Sequence, residues 1–308
     1  MSTGVATYKA VARDVTRKVE DAVGSVTPFY PNLCTVVPSN GADEKYSWLG
    51  SMPGMREWLG PRKFKQLEGA DYTLVNKHWE SSLEILKTDI DDDRVGMLGN
   101  LASQLGIEAA YHPDELMIDV MTAAESAACF DGQYFFDTDH SWGDSGTQSN
   151  DLTSAAATGT TPTEAEFRTA LHAALKAMLG FKRDNGKPYM RPRIGRLRDL
   201  VVCVPLSMYD IATKALTQAV VVEGGAGVSN FLLDDFQLLP LATFPDTRFD
   251  LYHVGDMLKP YVFQARQPLR VQSKGGDDIE FKEVKVMTEA RYNIGYLAWW
   301  KAVRTTFT

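Results

Sequence analysis

Asp131, Asp137, Asp139, His140 and Asp144 are the residues whose types and spacing could do chemistry, four carboxylates and an imidazole within fourteen positions. Hard divalent cations take carboxylate oxygens and imidazole adds a borderline donor, so such a set could hold a metal and support metal-dependent hydrolysis. The intervening residues favour a plainer role. Gly132, Thr138 and Gly143 are turn formers, and aspartate itself turns a chain by accepting hydrogen bonds from its own backbone. HExxH, calcium-loop and two-metal spacings are missing. Residues 129–150 are therefore expected to form a structural loop, with no metal ligand, no catalytic residue and no cofactor.

The remaining candidates carry less. His112, Pro113, Asp114 and Glu115 read as the restart of a helix rather than an acid–base pair, and His78 and His172 have no carboxylate at a productive helical spacing. The chain has no GxSxG elbow and no phosphate-cradling GxxxxGK[ST] loop. Gly224, Gly225 and Gly227 lack the GxGxxG spacing and suit a mobile loop. Cys34, Cys129 and Cys203 lie far apart without a CxxC pair, which points to free thiols in a reducing compartment.

The net charge of -8 disfavours tight nucleic-acid binding, which needs positive charge against phosphates. Residues 182–198 run against that background. Lys182, Arg183, Lys187, Arg191, Arg193, Arg196 and Arg198 are opposed there only by Asp184. The segment reads either as a nucleic-acid contact or as a loop that pairs with acidic groups of the same protein. Its arginine content favours specific pairing with carboxylates, so Arg191, Arg193 and Arg196 are taken as subunit contacts.

The elements that would position these groups are legible in outline. Tyr8, Val11, Val15, Val19 and Val23 recur at helical spacing, with Gly24 as a stop. That helix has one narrow apolar face, and it docks either on its own domain or on a neighbouring chain. Within residues 45–90, Gly50, Pro53, Gly54, Gly60 and Pro61 interrupt a run of aromatic residues, so no single regular element fits. Tyr72–Val75 and Trp79–Leu86 read as ribbon strands that need a partner surface, and Trp79 is taken as a subunit contact.

A long helix should follow Asp89–Asp93, with Leu98, Leu101, Leu105 and Ala109 as its apolar stripe and Gly96, Gly99, Ala102 and Gly106 permitting close approach. Pro113 should kink or restart it. Thr163 and Glu166 form a capping-box pattern for a helix to Leu179 that buries Phe167, Leu171, Leu175 and Met178. Leu200–Val204 reads as a buried strand and Met208–Val220 as a helix. Short strands should alternate with turns from Phe249 onward, at Tyr261–Phe263, Leu269–Val271, Val284–Thr288 and Tyr292–Trp300, with Gly275 and Gly276 turning the chain. At 308 residues the chain can bury a sizeable core in one or two domains. It lacks a signal-peptide pattern and any apolar run of about 20 residues.

Several blocks together resemble one known family. They are Tyr46-Ser-Trp-Leu-Gly50, Met55-Arg-Glu-Trp-Leu-Gly60, Tyr72–Glu80, Leu83–Asp93 with its Thr-Asp-Ile-Asp-Asp-Asp run, His112-Pro-Asp-Glu-Leu116, Asp131-Gly-Gln-Tyr-Phe-Phe-Asp-Thr-Asp-His140, Lys259-Pro-Tyr-Val-Phe263 and Val284–Trp300. In order and spacing they resemble the Mu-like phage major head subunits of the gpT type, within the Hong Kong 97-like capsid fold, over residues 40–305.

The resemblance implies an α+β subunit with an N-terminal arm (1–44), an extended loop (45–90), a peripheral domain with a spine helix (91–150), an axial domain (151–248) and closing strands of the peripheral domain (249–308). It implies a shell protein of a tailed bacteriophage and not an enzyme. Copies would form hexamers and pentamers of an icosahedral head around double-stranded DNA, without sequence-specific binding and without a membrane. Scaffold and portal proteins, and a decoration protein, would be its partners. Assembly would take place in the host bacterial cytoplasm and the product would be the virion. An encapsulin-like nanocompartment shell is the alternative on the same fold, and the metal-dependent hydrolase is the alternative of another class.

Overall fold

The computed structural model describes residues 2–46, 72–92, 97–158, 161–190, 199–218, 220–223, 226–229, 236–274 and 283–308. The chain opens with helix α1 (Ser2–Ser25), helix α2 (Tyr30–Leu33) and strands β1 (Cys34–Pro38) and β2 (Asp43–Lys45). Strands β3 (Thr73–Val75) and β4 (Lys77–Leu86) lead through helix α3 (Lys87–Asp92) to the long helix α4 (Met97–Thr122). Then come β5 (Asp151–Ser154), α5 (Glu164–Gly180), β6 (Leu200–Pro205), α6 (Tyr209–Thr217), β7 (Val220–Glu223), β8 (Ala226–Ser229), β9 (Phe236–Leu241) and β10 (Arg248–His253). The last strands are β11 (Tyr261–Lys274), β12 (Glu283–Tyr296) and β13 (Ala302–Phe307). The fold class is α+β, as the family resemblance implies.

One sheet has the order β1-β11-β12-β4. The short pieces expected after Phe249 are in fact two 14-residue strands, paired from Tyr261↔Tyr296 out to Lys274↔Lys285. Pro268 lies within β11. It sits where the β11–β12 register shifts between Gln267 and Arg270, the kind of place a strand tolerates a residue with no N–H. The turn at Gly275 and Gly276 lies outside the described residues. On β12, Val284, Val286, Thr288, Ala290 and Tyr292 are buried and alternate with half-exposed residues, so one face of the sheet is covered.

The ribbon expected to lack internal support is partly supported. All ten residues of β4 pair with β12, from Leu86↔Glu283 to Lys77↔Tyr292. The two-residue period of Leu83 and Ile85 marks the side that packs inward.

Helices α1 and α4 lie over that face. Val15, Val19 and Ile85 join Val284 and Val286 in a small core, so α1 docks on its own domain. Leu98 and Leu105 of the leucine stripe pack on this core, but the stripe is not wholly buried. Leu101 is 52% exposed, whereas Gly99, Ala102 and Gly106 are buried. At Gly106 a Cβ would lie 2.5 Å from the Val19 carbonyl oxygen, so only glycine lets the two backbones approach this closely. Helix α4 also runs unbroken through Pro113. The carboxylate of Asp114, one residue on, accepts the backbone N–H groups of Phe29 (3.0 Å) and Tyr30 (2.8 Å), tying α4 to the segment after α1.

The second sheet has the order β5-β13-β10-β6-β9. Every residue of β6 is buried, as its all-apolar run indicates. Helix α5 starts on the expected box: Thr163 Oγ1 accepts from the Glu166 N–H (3.3 Å) and Glu166 Oε2 from the Thr163 N–H (2.7 Å). Phe167, Leu171, Ala174 and Met178 are among its buried residues, with Leu175 packed beside them. Strands β10 and β13 belong to this sheet, so residues 249–308 build parts of both sheets and not only one.

Candidate functional site: buried charge and exposed surfaces

The loop acids fall into pairs and not into one site: Asp131 meets His140, and Asp139 neighbours Asp137, its carboxyl pushed up by lost solvation and by that second carboxyl. His140 Nδ1 lies 2.7 Å from Asp131 Oδ2, both side chains fully buried, and the imidazole stacks on Trp299 with ring centroids 3.9 Å apart. Asp137 turns the backbone, accepting from the N–H groups of Tyr134 and Thr138. Asn150 fastens the loop by donating to the carbonyls of Phe135 and Trp299. Gly143 has φ +58, and a Cβ there would meet the Asp184 carbonyl oxygen at 2.7 Å, because the Asp144 N–H bonds that same oxygen. Among the described residues no three His, Cys, Asp or Glu side chains group as metal ligands. The loop's geometry is that of a clasp, holding the hairpin at 182–188 against the body.

The larger charge cluster was not foreseen in the sequence. Arg304, on β13, is fully buried and meets Asp250 of β10 through two parallel bonds of 2.8 and 2.9 Å. It also donates to Glu125 (2.6 Å) and to the Met121 carbonyl (2.9 Å) at the C-terminal end of α4, where a helix favours a cation. Arg248 joins Glu125 from β10. The Tyr252 hydroxyl donates to Asp250, and Phe136 lies under the guanidinium at 4.0 Å. Burial works against the charge on Arg304, but Asp250 beside it more than compensates and raises its pKa. Burial dominates at Asp151, whose carboxyl is pushed up despite Arg304. A buried set of this kind joins the C-terminal end of α4 to the second sheet.

Cys34, Cys129 and Cys203 are buried and free, and burial raises all three thiols. None is poised as a nucleophile.

Trp79 is held within its own chain. Its indole N–H donates to the Tyr292 carbonyl (3.0 Å) and its ring faces His112 at 4.4 Å. It lines an open cleft between α4 and the first sheet, so one side of it remains available to another molecule. Of the basic segment, residues 182–190 are described. Lys182 pairs with Gln148 through both backbone groups, and Arg183 donates to the Tyr189 carbonyl and lies over the Tyr189 ring. Arg191, Arg193 and Arg196 lie outside the described residues.

The family model described as "Mu-like prophage major head subunit gpT" matches residues 8–167. The Mu-like prophage FluMu major head subunit of Haemophilus influenzae is 43% identical over 124 residues, 40% of this chain and 40% of that protein. The major capsid protein of Escherichia phage Mu is 31% identical over 135 residues, 44% of each chain. The chain thus matches less than half the length of these curated relatives. Among solved structures, the procapsid of bacteriophage JBD30 is similar over 98% of this chain and 75% of that chain, with TM-score 0.55 and 24% identity.

Proposed function

Because the chain belongs to the Mu-like prophage major head subunit family, we propose that it is a major capsid protein of a tailed bacteriophage, self-assembling into the hexamers and pentamers of an icosahedral head around double-stranded DNA. The observation that carries this reading is the two-sheet architecture with a long helix packed on the first sheet, in a chain whose buried ionisable pairs make internal contacts. The buried Arg304–Asp250 pair, the Asp131–His140 pair and the buried thiols are structural. What remains outward is surface: the outer stripe of α4, the long β11–β12 pair and the basic hairpin. That distribution suits a subunit whose work is contact with its own copies. It does not suit an enzyme.

The domain reading follows the family: an arm at 1–44, an extended loop at 45–90, a peripheral unit around α4 and the first sheet, and an axial unit around the second. Partners on this reading are first of all other copies of the chain, with scaffold, portal and decoration proteins beside them. The finished location is the virion, after assembly in the host bacterial cytoplasm. Among the described residues no helix is long and apolar enough to cross a membrane. Residues 182–198 are assigned to subunit contacts, because a protein of net charge -8 offers many carboxylates for arginines to meet.

Sedimentation tests the reading together with its least secure part. Recombinant subunit is expected to convert to large, uniform particles, and Arg191→Glu/Arg193→Glu to impair that conversion. Unassembled subunit at low salt is expected to bind no duplex DNA. Wild-type protein that stays monomeric under all assembly conditions contradicts the capsid reading. DNA binding lost in a variant that still assembles contradicts only the assignment of the segment.

A further inference from the structure

Between the outer face of α4 and strands β4, β11 and β12 lies a cleft of about 190 Å3. Its walls are aromatic. Trp79 and His112 have ring centroids 4.4 Å apart, and Tyr292 stands 6.2 Å from the first and 5.8 Å from the second, with His112 Nδ1 2.6 Å from the Tyr292 hydroxyl. Its rim is acidic, formed by the exposed side chains of Glu80, Glu108 and Glu115.

Among the described residues none of these three carboxylates has an ion-pair partner. Glu108 accepts from Gln104 (2.5 Å) and Glu80 from Ser82 (2.9 Å), both neutral donors. One cation is already near the aromatic wall, Lys77 Nζ at 5.7 Å from the Trp79 centroid, so this indole accepts a charge over its face.

A second feature continues the cleft along the helix. At 100° per residue Met97, Leu101 and Tyr111 fall on the same side of α4 as Glu108 and Glu115. They are 63%, 52% and 44% exposed, while the opposite side holds the buried Gly99, Ala102 and Gly106. An exposed apolar row of this kind marks a protein contact. Nucleic acid would be repelled by the carboxylates, and a free metal ion has no use for the apolar row. The complementary object is a protein surface carrying a basic side chain.

Resting on the capsid reading, we propose that this cleft receives a lysine or arginine side chain from a second copy of the chain, with apolar residues of that copy lying along the outer face of α4. The cation sits between the three glutamates and against Trp79, where ring and carboxylates act together. The chain carries its own source of such groups in residues 182–198, seven basic residues against one acid. Lys182, Arg183 and Lys187, the basic residues of that segment among the described ones, lie on the hairpin after α5 and the cleft lies on α4 and the first sheet, so a contact between them is head to tail. Repeated around a ring, it closes, and every copy both gives and receives.

The test uses full-length protein with benzoylphenylalanine in place of Ser81, a cleft-lining residue outside the walls and rim. Isotope-labelled and unlabelled subunits are mixed, assembled and irradiated, and the adducts are read by mass spectrometry. The expected product links a labelled to an unlabelled chain at a lysine- or arginine-bearing peptide. In parallel, Glu108→Lys/Glu115→Lys is expected to lower the yield of closed particles about tenfold. The melting temperature of the unassembled subunit should hold within about 2 °C, as exposed positions allow. Glu108→Gln/Glu115→Gln should fall between the two. Particles that form normally but give adducts only within one chain overturn the proposal, as does charge reversal with wild-type yield. Wild-type protein that forms no particles overturns the capsid reading and this contact with it.

Discussion

Arg304 shows how a single residue can hold two parts of the molecule together. Its guanidinium is fully buried, paired twice with Asp250 and shared with Glu125 and the end of α4. Removing one partner of such a set leaves the others charged and unsatisfied in a poor solvent. Arg304→Met is therefore expected to cost about 3–5 kcal/mol in urea denaturation of the unassembled subunit; a loss under about 1 kcal/mol would show that the cluster is dispensable. Asp114 makes a prediction of opposite electrostatic character. Burial raises its carboxyl above the ordinary range, although the N–H groups of Tyr30 and Phe29 pull the other way. A raised value means that the folded protein holds this proton more tightly than the unfolded chain. Stability from this group is complete below the ordinary carboxylate range and declines as pH rises through the raised value. Asp114→Asn cannot titrate, so its urea midpoint should lack the fall that wild type shows as pH rises above the ordinary carboxylate range. Parallel curves for the two proteins would contradict this.

Among the elements, the α1–α4 pair depends most on fine sequence detail. Gly106 faces the Val19 carbonyl at a distance no side chain tolerates. Gly106→Val is expected to push the helices apart and cost about 1–3 kcal/mol, seen as a lower melting temperature and faster amide exchange in α1. Unchanged exchange in α1 would mean that the contact is not maintained in solution. The same pair shows what the sequence could and could not say. Helical spacing from Tyr8 to Val23 revealed α1, and the small residues of α4 signalled a close approach. The spacing placed Leu98 and Leu105 correctly against the small core but not Leu101, which is exposed while Gly99, Ala102 and Gly106 take the buried positions. Pro113 was expected to interrupt α4, but packing on both sides and the Asp114 bonds to Phe29 and Tyr30 keep the helix continuous. The capping box at Thr163 and the buried run Leu200–Val204 were legible because each is a local signal. The Arg304 cluster was not, since Glu125, Asp250 and Arg304 lie far apart in sequence and no periodicity connects them. His140 and Asp131 were singled out for their chemistry, and no local sequence signal showed that they would be buried together, with His140 stacked on Trp299.

At the scale of the whole molecule, the two sheets and α4 form a body with a buried core and with apolar and charged groups left on its surface. The exposed row on α4, the acidic cleft beside it and the basic hairpin opposed by few local acids all call for other copies. Charges exposed this way are screened beyond about 8–10 Å at physiological ionic strength, so assembly should weaken as salt rises. The most direct measurement is electron cryomicroscopy of the particles formed by purified full-length protein. Closed icosahedral shells are expected, with this subunit's two sheets and long helix resolved at both fivefold and sixfold positions. Particles that are open or irregular aggregates, or a protein that remains monomeric at high concentration, would contradict the assignment of this chain as a shell-forming subunit.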